Sequence, residues 1–334
     1  MLSTMESSAR FNLHRNNTFQ TPQILHGKKR IWHTRRCTVK AQATPVPVII
    51  PSEANGVNGT AAPAAPSPPI PVPELSPPPA AFAKAIAAGQ SKAALSISKT
   101  FFMGILGGAF IGFGSFLALS VGGACPGLAS TNPGLQKIVY GAFGLPFGLL
   151  LVLMCGAELF TGNTALVTAS VLEGKASLEQ LAKNWFFSYL GNFAGSLLMV
   201  TLVVSTGLLA TAAAPLNVAV AKTSLTFAQA FSRGILCNWL VSAAVYMANA
   251  ASSAPGKAVA VWFPISAFVA LGLEHSVANM FMVPLGIALG AKVSFATFLT
   301  ANLLPVTLGN IVGGAVCIAL AYAACFGKMG QSLS

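Results

Sequence analysis

Only one histidine, His275, lies beyond residue 33 of the 334-residue chain. It follows Glu274 in the middle of a long apolar run, and Glu158 occupies the same setting in another such run. The two surroundings match: Gly156-x-Glu158-x4-Asn163 is echoed by Gly272-x-Glu274-x4-Asn279, 116 positions on. Thr161 adds a hydroxyl and Asn163 an amide beside Glu158, while Asn238 places a further amide in mid-run. These groups are suited to handling a proton, because imidazole titrates near neutral pH, or to holding an anion with N–H and O–H donors. The carboxylates can relay protons, or can accept hydrogen bonds from backbone N–H groups freed where a helix unwinds. The second role suits a basic chain with a single histidine beyond residue 33 better. A histidine base with a serine nucleophile, Ser276 or Ser115, is the hydrolytic alternative, but no motif sets such a pair beside an oxyanion site.

The runs that carry these residues must be membrane spans. The chain is 54% hydrophobic and 8% charged, with no aspartate, whereas a soluble domain carries about 25% charged residues. A bilayer helix needs about 20 apolar residues, and the sequence supplies six such segments: residues 101–120, 141–170, 185–206, 227–248, 259–290 and 301–326. The second and fifth are too long for one crossing and too short for two, and each has its polar cluster at the centre, so both read as broken helices. Asn184, Gly191, Asn192 and Gly195 recur as Asn302, Gly309, Asn310 and Gly313, offset by 118; Pro146 and Pro264 share that offset, and Gly104 and Gly234 open a repeated Gly-Ile-Leu at 130. Spans one to three therefore duplicate as four to six. An odd number per half forces the second copy to enter from the opposite side, giving an all-α inverted 3+3 repeat whose broken helices meet near the midplane.

Charge divides the chain further. Residues 1–40 hold eight basic residues and one acid, are rich in Ser, Thr and Asn, and lack the apolar run of a secretory signal. Residues 1–41 are expected to be an organelle transit peptide, with Val39-Lys40-Ala41 near its processing site. Residues 42–80 are Pro- and Ala-rich and read as a disordered linker, followed by a membrane domain over 81–328. A mitochondrial address, or a basic cytosolic tail in place of a transit peptide, is the alternative to a plastid one. Seven lysines fall on the side of both domain ends (Lys84, Lys92, Lys99, Lys175, Lys183, Lys257 and Lys328), against Lys137, Lys222, Arg233 and Lys292 opposite. The positive-inside rule then puts both ends toward the more cytosol-like compartment. Basic residues of the spans sit singly, which argues against nucleic acid as a partner. No C-x-x-C occurs among the six cysteines, and neither a phosphate-binding Gly-Lys loop nor a histidine cluster is present, so no cofactor or metal is expected.

At this level of detail the residues resemble the formate–nitrite transporters. Gly156-Ala-Glu-Leu-Phe-Thr-Gly-Asn163 and Leu273-Glu-His-Ser-Val-Ala-Asn-Met280 are similar to that family's two signature loops, and Asn302 to Asn310 and Gly108 to Gly114 to further segments. The resemblance implies an aquaporin-like protomer of six spans, assembled as a homopentamer in membrane lipid, with a pore in each protomer and no enzymatic activity. It implies His275 as the central pore histidine, Thr161 as the hydroxyl facing it, and Asn238 as a third polar group. Leu159, Phe160 and Val241 would form one apolar constriction, Leu149 and Phe268 the other, and Lys99 and Lys222 would draw anions into the vestibules. Glu158, Asn163, Glu274 and Asn279 structure the loops. Family members often carry Phe where this chain has Leu145, which implies a wider constriction here.

The physics of such a path favours small weak acids. A bare anion loses its hydration in an apolar neck at a cost of several kcal/mol, so an anion that takes up a proton there crosses as a neutral molecule. His275 either supplies that proton or, with Thr161 and Asn238, orients the substrate. A plastid envelope address (inner membrane) points to nitrite and protons, with formate or bicarbonate as alternatives. A neutral-solute channel would show paired Asn-Pro-Ala turns, and the single Asn-Pro, Asn132-Pro133, is outside the matching positions.

Overall fold

The computed structural model describes residues 74–331; the expected transit peptide and residues 42–73 of the expected linker lie outside the described residues. Helix α1 covers Pro78–Ala93 and α2 Ile97–Val121; α3 (Pro126–Thr131) and α4 (Pro133–Ala142) lead into α5 (Leu145–Cys155). After a break come α6 (Phe160–Leu172), α7 (Leu178–Thr206), α8 (Ala213–Thr223), α9 (Phe227–Ala250) and α10 (Ala254–Ala270). A second break precedes α11 (Ser276–Ala288), and α12 runs over Phe295–Phe326, with wide π turns at Phe298–Leu303 and Ala315–Leu320. The protein is thus an all-α membrane protein of six spans, and the second and fifth are interrupted where the polar clusters sit.

Local chemistry sets the helix starts. Ser96, Ser177 and Thr226 accept backbone N–H groups at the starts of α2, α7 and α9, and Gln180 and Gln229 complete capping boxes on the latter two. Among the described residues, four helical stretches are long and apolar enough to cross a membrane: Ile97–Ala124, Pro133–Cys155, Leu178–Thr206 and Phe295–Phe326. With 24 residues, α9 extends about 36 Å and also has the length. Apolar side chains point outward as well as inward; Phe102, Phe186 and Phe263 are 65%, 62% and 71% exposed, a surface suited to lipid.

Close helix pairs make the repeat visible. In one half α2 lies against α7, in the other α9 against α12, and glycines sit at both crossings. Gly104 meets Gly191 as Gly234 meets Gly309. The hydroxyls of Tyr189 and Thr307, 2.9 Å apart, are each other's counterparts at the 118 offset, so the pseudo-twofold axis passes between them.

Two expectations change. The membrane domain begins before residue 81: Ser76 N donates to the Ala250 carbonyl, Ser252 N to that of Glu74, and the Tyr246 hydroxyl to that of Pro78. Proline is at home in a helix's first turn, so the Pro77-Pro78-Pro79 run starts α1 instead of extending the linker. Pro146 and Pro264 are not equivalent either. Pro146 lies in the first turn of α5, after a bend at Gly144 that divides the span, whereas Pro264 lies inside the continuous α10.

Gly108 tests the packing. A Cβ there would collide with the backbone carbonyl of Asn192, which cannot move aside, whereas a Cβ at Gly127 meets nothing within 4 Å. Thermal unfolding in detergent should show Gly108→Ala destabilised by about 1–3 kcal/mol, with Gly127→Ala unchanged or slightly more stable.

Candidate functional site

Each break opens with a left-handed glycine. Gly156 (φ 74°) ends α5 and Gly272 (φ 73°) ends the turn after α10, a conformation that side chains with a Cβ resist. The chain then runs extended, leaving backbone groups without helical partners at membrane depth, where each would cost several kcal/mol. One asparagine per half satisfies them. Asn192 Nδ2 donates to the carbonyls of Gly104 (2.8 Å) and Glu158 (2.8 Å), and its Oδ1 accepts from Phe160 N (2.9 Å). Asn310 repeats this with Gly234 (2.9 Å), Glu274 (3.0 Å) and Ser276 N (2.8 Å).

The glutamates face side chains, contrary to the expected role of accepting freed backbone N–H groups. Glu158, 1% exposed, accepts from Lys92 Nζ (2.6 Å), Asn163 Nδ2 (2.7 Å) and Asn184 Nδ2 (3.1 Å). Glu274, 3% exposed, accepts from Lys222 Nζ (3.1 Å to each oxygen), Asn279 Nδ2 (2.7 Å) and Asn302 Nδ2 (3.2 Å). The asparagines had already taken the backbone partners. Each carboxylate instead ties the short helix before a long span (α1 or α8) and the long span after the break (α7 or α12) to the loop: Asn184 also donates to the Lys92 carbonyl and Asn302 to that of Lys222.

At the meeting of the halves, the first turns of α6 and α11 bring Thr161 to His275. The hydroxyl is 2.9 Å from Nε2, and Nδ1 accepts the Ala278 backbone N–H at 3.0 Å. That amide assigns the tautomer: Nδ1 carries the lone pair, and Nε2 carries the hydrogen and donates to Thr161 Oγ1. Asn238 Nδ2 lies near three acceptors, the carbonyls of Thr161 (3.2 Å) and Asn310 (2.6 Å) and the Thr164 hydroxyl (2.9 Å). Its Oδ1 is buried with no partner, as are Ser276 Oγ and Ser115 Oγ. Neither serine hydroxyl hydrogen-bonds to His275, so the histidine–serine pair of the hydrolytic alternative does not form.

Two spaces adjoin the imidazole. A cavity of about 220 Å³ is lined by Lys222, Arg233, Glu274, Tyr140, Leu145, Phe268 and His275. Beyond it, a space of about 10 Å³, room for roughly one water, is walled by Leu145, Leu149, Leu159, Val241, Ile265 and Phe268. Leu145, Phe268 and His275 border both, and the Phe268 ring stacks on the imidazole at 5.9 Å. The two expected constrictions thus border one shared neck. Phe160 is absent from its lining, with its ring edge-on to Tyr189 (4.8 Å) and Trp185 (6.1 Å). Among the described residues no group of three or more His, Cys, Asp or Glu could hold a metal, and the described cysteines are unpaired.

Lys99 lies exposed in the first turn of α2, whereas the counterpart of Lys222 in the repeat is Lys92, which binds the buried Glu158. The 130 offset of Gly104 and Gly234 also relates Lys92 to Lys222, so the signal was present. Tyr140 has no matching polar residue in the repeat, since Ala258 stands 118 positions on.

The chain resembles known proteins over this whole region. The family model described as formate/nitrite transporter matches residues 79–324. A probable formate transporter of Methanothermobacter thermautotrophicus is 44% identical over 265 residues, covering 73% of this chain and 95% of that protein. The formate channel FocA of Escherichia coli is 37% identical over 268 residues, 73% of this chain and 92% of its own. A solved pentameric formate channel with formate bound superposes with a TM-score of 0.60 at 33% identity, over 70% of this chain and 98% of that one.

The glutamate clusters make a stability prediction. Removing one partner of a buried ion pair strands the other, at about 3–5 kcal/mol, while removing both is far milder. Lys92→Met should therefore lose more stability in detergent unfolding than the double variant Lys92→Met/Glu158→Gln, which recovers at least half of the loss.

Proposed function

The chain belongs to the formate/nitrite transporter family, and from that premise we propose that it passes small monovalent weak-acid anions through a pore in each protomer, with His275 at its narrowest part. The observation that carries this reading is His275 Nε2, 2.9 Å from the Thr161 hydroxyl, beside a neck too small and too apolar for a hydrated ion.

The steps follow from the geometry. Cationic side chains of the mouth raise the local anion concentration. The N-termini of the half-helices α6 and α11 point toward the centre and add positive potential there. An anion reaching His275 exchanges its water for the Nε2 hydrogen, displacing Thr161, and in the dry neck its affinity for a proton rises. The proton enters with the anion from the aqueous mouth and leaves with it on the far side. His275 orients in this scheme and does not donate: giving up its only ring hydrogen would leave an imidazolate in an apolar neck, and a second proton on Nδ1 would face the Ala278 N–H. Asn238 fixes the backbone beneath Thr161, so the hydroxyl returns to the same place after each passage.

Five protomers per assembly is the reading favoured by the pentameric relative. Nitrite is the cargo favoured by a plastid transit peptide over residues 1–41 and an inner-envelope location, because nitrite reduction takes place in plastids. Formate is the second reading, favoured by the relatives named for formate.

Proteoliposome uptake tests the path. His275→Phe and His275→Ala should reduce nitrite and formate entry to the level of empty liposomes, and unchanged flux would remove His275 from the path. Competition among nitrite, formate and bicarbonate in the same assay separates the cargo readings. Leu145→Phe should narrow the neck and slow lactate more than formate.

A further inference from the structure

The cavity over His275 holds three charged side chains, and they do not balance. Lys222 and Glu274 neutralise one another through two 3.1 Å contacts. That leaves Arg233, half-buried, with no ion pair or hydrogen bond from its guanidinium to any described residue; the hydroxyl of Tyr140, which lines the same cavity, has none either. An unspent fork of five donors at a largely apolar cavity is available to a ligand. Arg233 is also held in place. Its backbone carbonyl accepts Glu274 N at 3.4 Å, and from it Cys237 and Val241 follow at i+4 and i+8 along one face of α9, the last lining the neck.

We propose that Arg233, with Tyr140, forms an outer binding site for planar monovalent anions with two oxygens, carboxylates or nitrite, captured before they reach His275. This deepens the transport reading above and rests on it. A guanidinium matches two oxygens of one anion with two parallel N–H groups, which an ammonium cannot do, and the phenol supplies a further donor. A space of about 220 Å³ admits such an anion together with some of its water. The site is one-sided: the repeat places Met103 where Arg233 stands, so the opposite mouth has the neutralised Lys92–Glu158 pair and no fork. Lys222, the expected attractor, is already occupied by its carboxylate, so Arg233 supplies the cavity's net charge.

The test compares wild type with Arg233→Met, Arg233→Lys, Tyr140→Phe and the control Lys292→Met, which removes an exposed cation outside the cavity. Initial rates of nitrite and formate uptake into proteoliposomes are measured against concentration, and nitrite is titrated calorimetrically into each detergent-solubilised assembly. Arg233→Met should raise the half-saturating concentration about tenfold, leave the maximal rate within about twofold and abolish the binding heat. Arg233→Lys should retain attraction but lose the preference for nitrite over chloride as competitor, Tyr140→Phe should cause a smaller rise, and Lys292→Met none. Unchanged half-saturation and unchanged binding heat in Arg233→Met would overturn the site while leaving transport intact. Wild-type protein without anion flux would instead overturn the transport reading, and the calorimetry would still decide on Arg233. Size-exclusion profiles matching wild type exclude misfolding as the cause of any loss.

Discussion

A helix interrupted inside a membrane must find partners for the backbone groups it exposes, and the rest of this structure is arranged around that need. Asn192 and Asn310 each use their whole amide to bind the two sides of a break to a neighbouring span. Once they do so, a buried carboxylate is free to hold the outer end of the loop through one lysine and two further amides. Such clusters are worth little as net stability, since desolvating a carboxylate and an ammonium offsets most of their attraction. Their effect is positional: they hold the first turns of α6 and α11 so that Thr161 and His275 lie within hydrogen-bond distance.

Function enters where the two halves cease to match. Leu159 and His275 are counterparts at the 116 offset, and both border the neck, so one apolar and one polar residue face the same space. Gly108 and Asn238 are counterparts at 130: in one half a glycine lies directly against the Asn192 carbonyl, in the other an amide donates to the Asn310 carbonyl and also reaches Thr161 and Thr164. Met103 and Arg233 complete the series at the mouths. A symmetric scaffold thus builds two equivalent breaks, and substitution on one side converts them into a single polar point in an otherwise apolar path.

Much of this was legible in the sequence because charge is so scarce there. Six spans, two breaks and the inverted repeat follow from a handful of polar residues at fixed offsets, and the pairing of His275 with Thr161 from the family resemblance they compose. What escaped was side-chain partnership. The offsets linked Asn192 to Asn310 without saying that these amides, and not the glutamates, would satisfy the breaks. Lys99 and Lys92 both lie near the start of α2; the 130 offset pairs Lys92 with Lys222, but its partnership with Glu158 shows only in the packing. Phe160 adjoins Leu159 in sequence, yet helix α6 begins between them, which turns its ring away toward Tyr189 and Trp185. Pro77-Pro78-Pro79 suits an extended linker and a first helical turn equally well, so the sequence does not mark where the domain starts.

The central claim is that this path admits weak acids through a dry neck and excludes what merely fits an aquaporin-like outline. Liposomes containing the wild-type assembly can be loaded with a pH-sensitive dye and exposed in parallel to nitrite or formate and to an isotonic glycerol gradient. The account predicts rapid anion entry, with internal pH shifting as protons accompany the anion, and no glycerol swelling beyond that of protein-free liposomes. Swelling in glycerol without anion entry would contradict it.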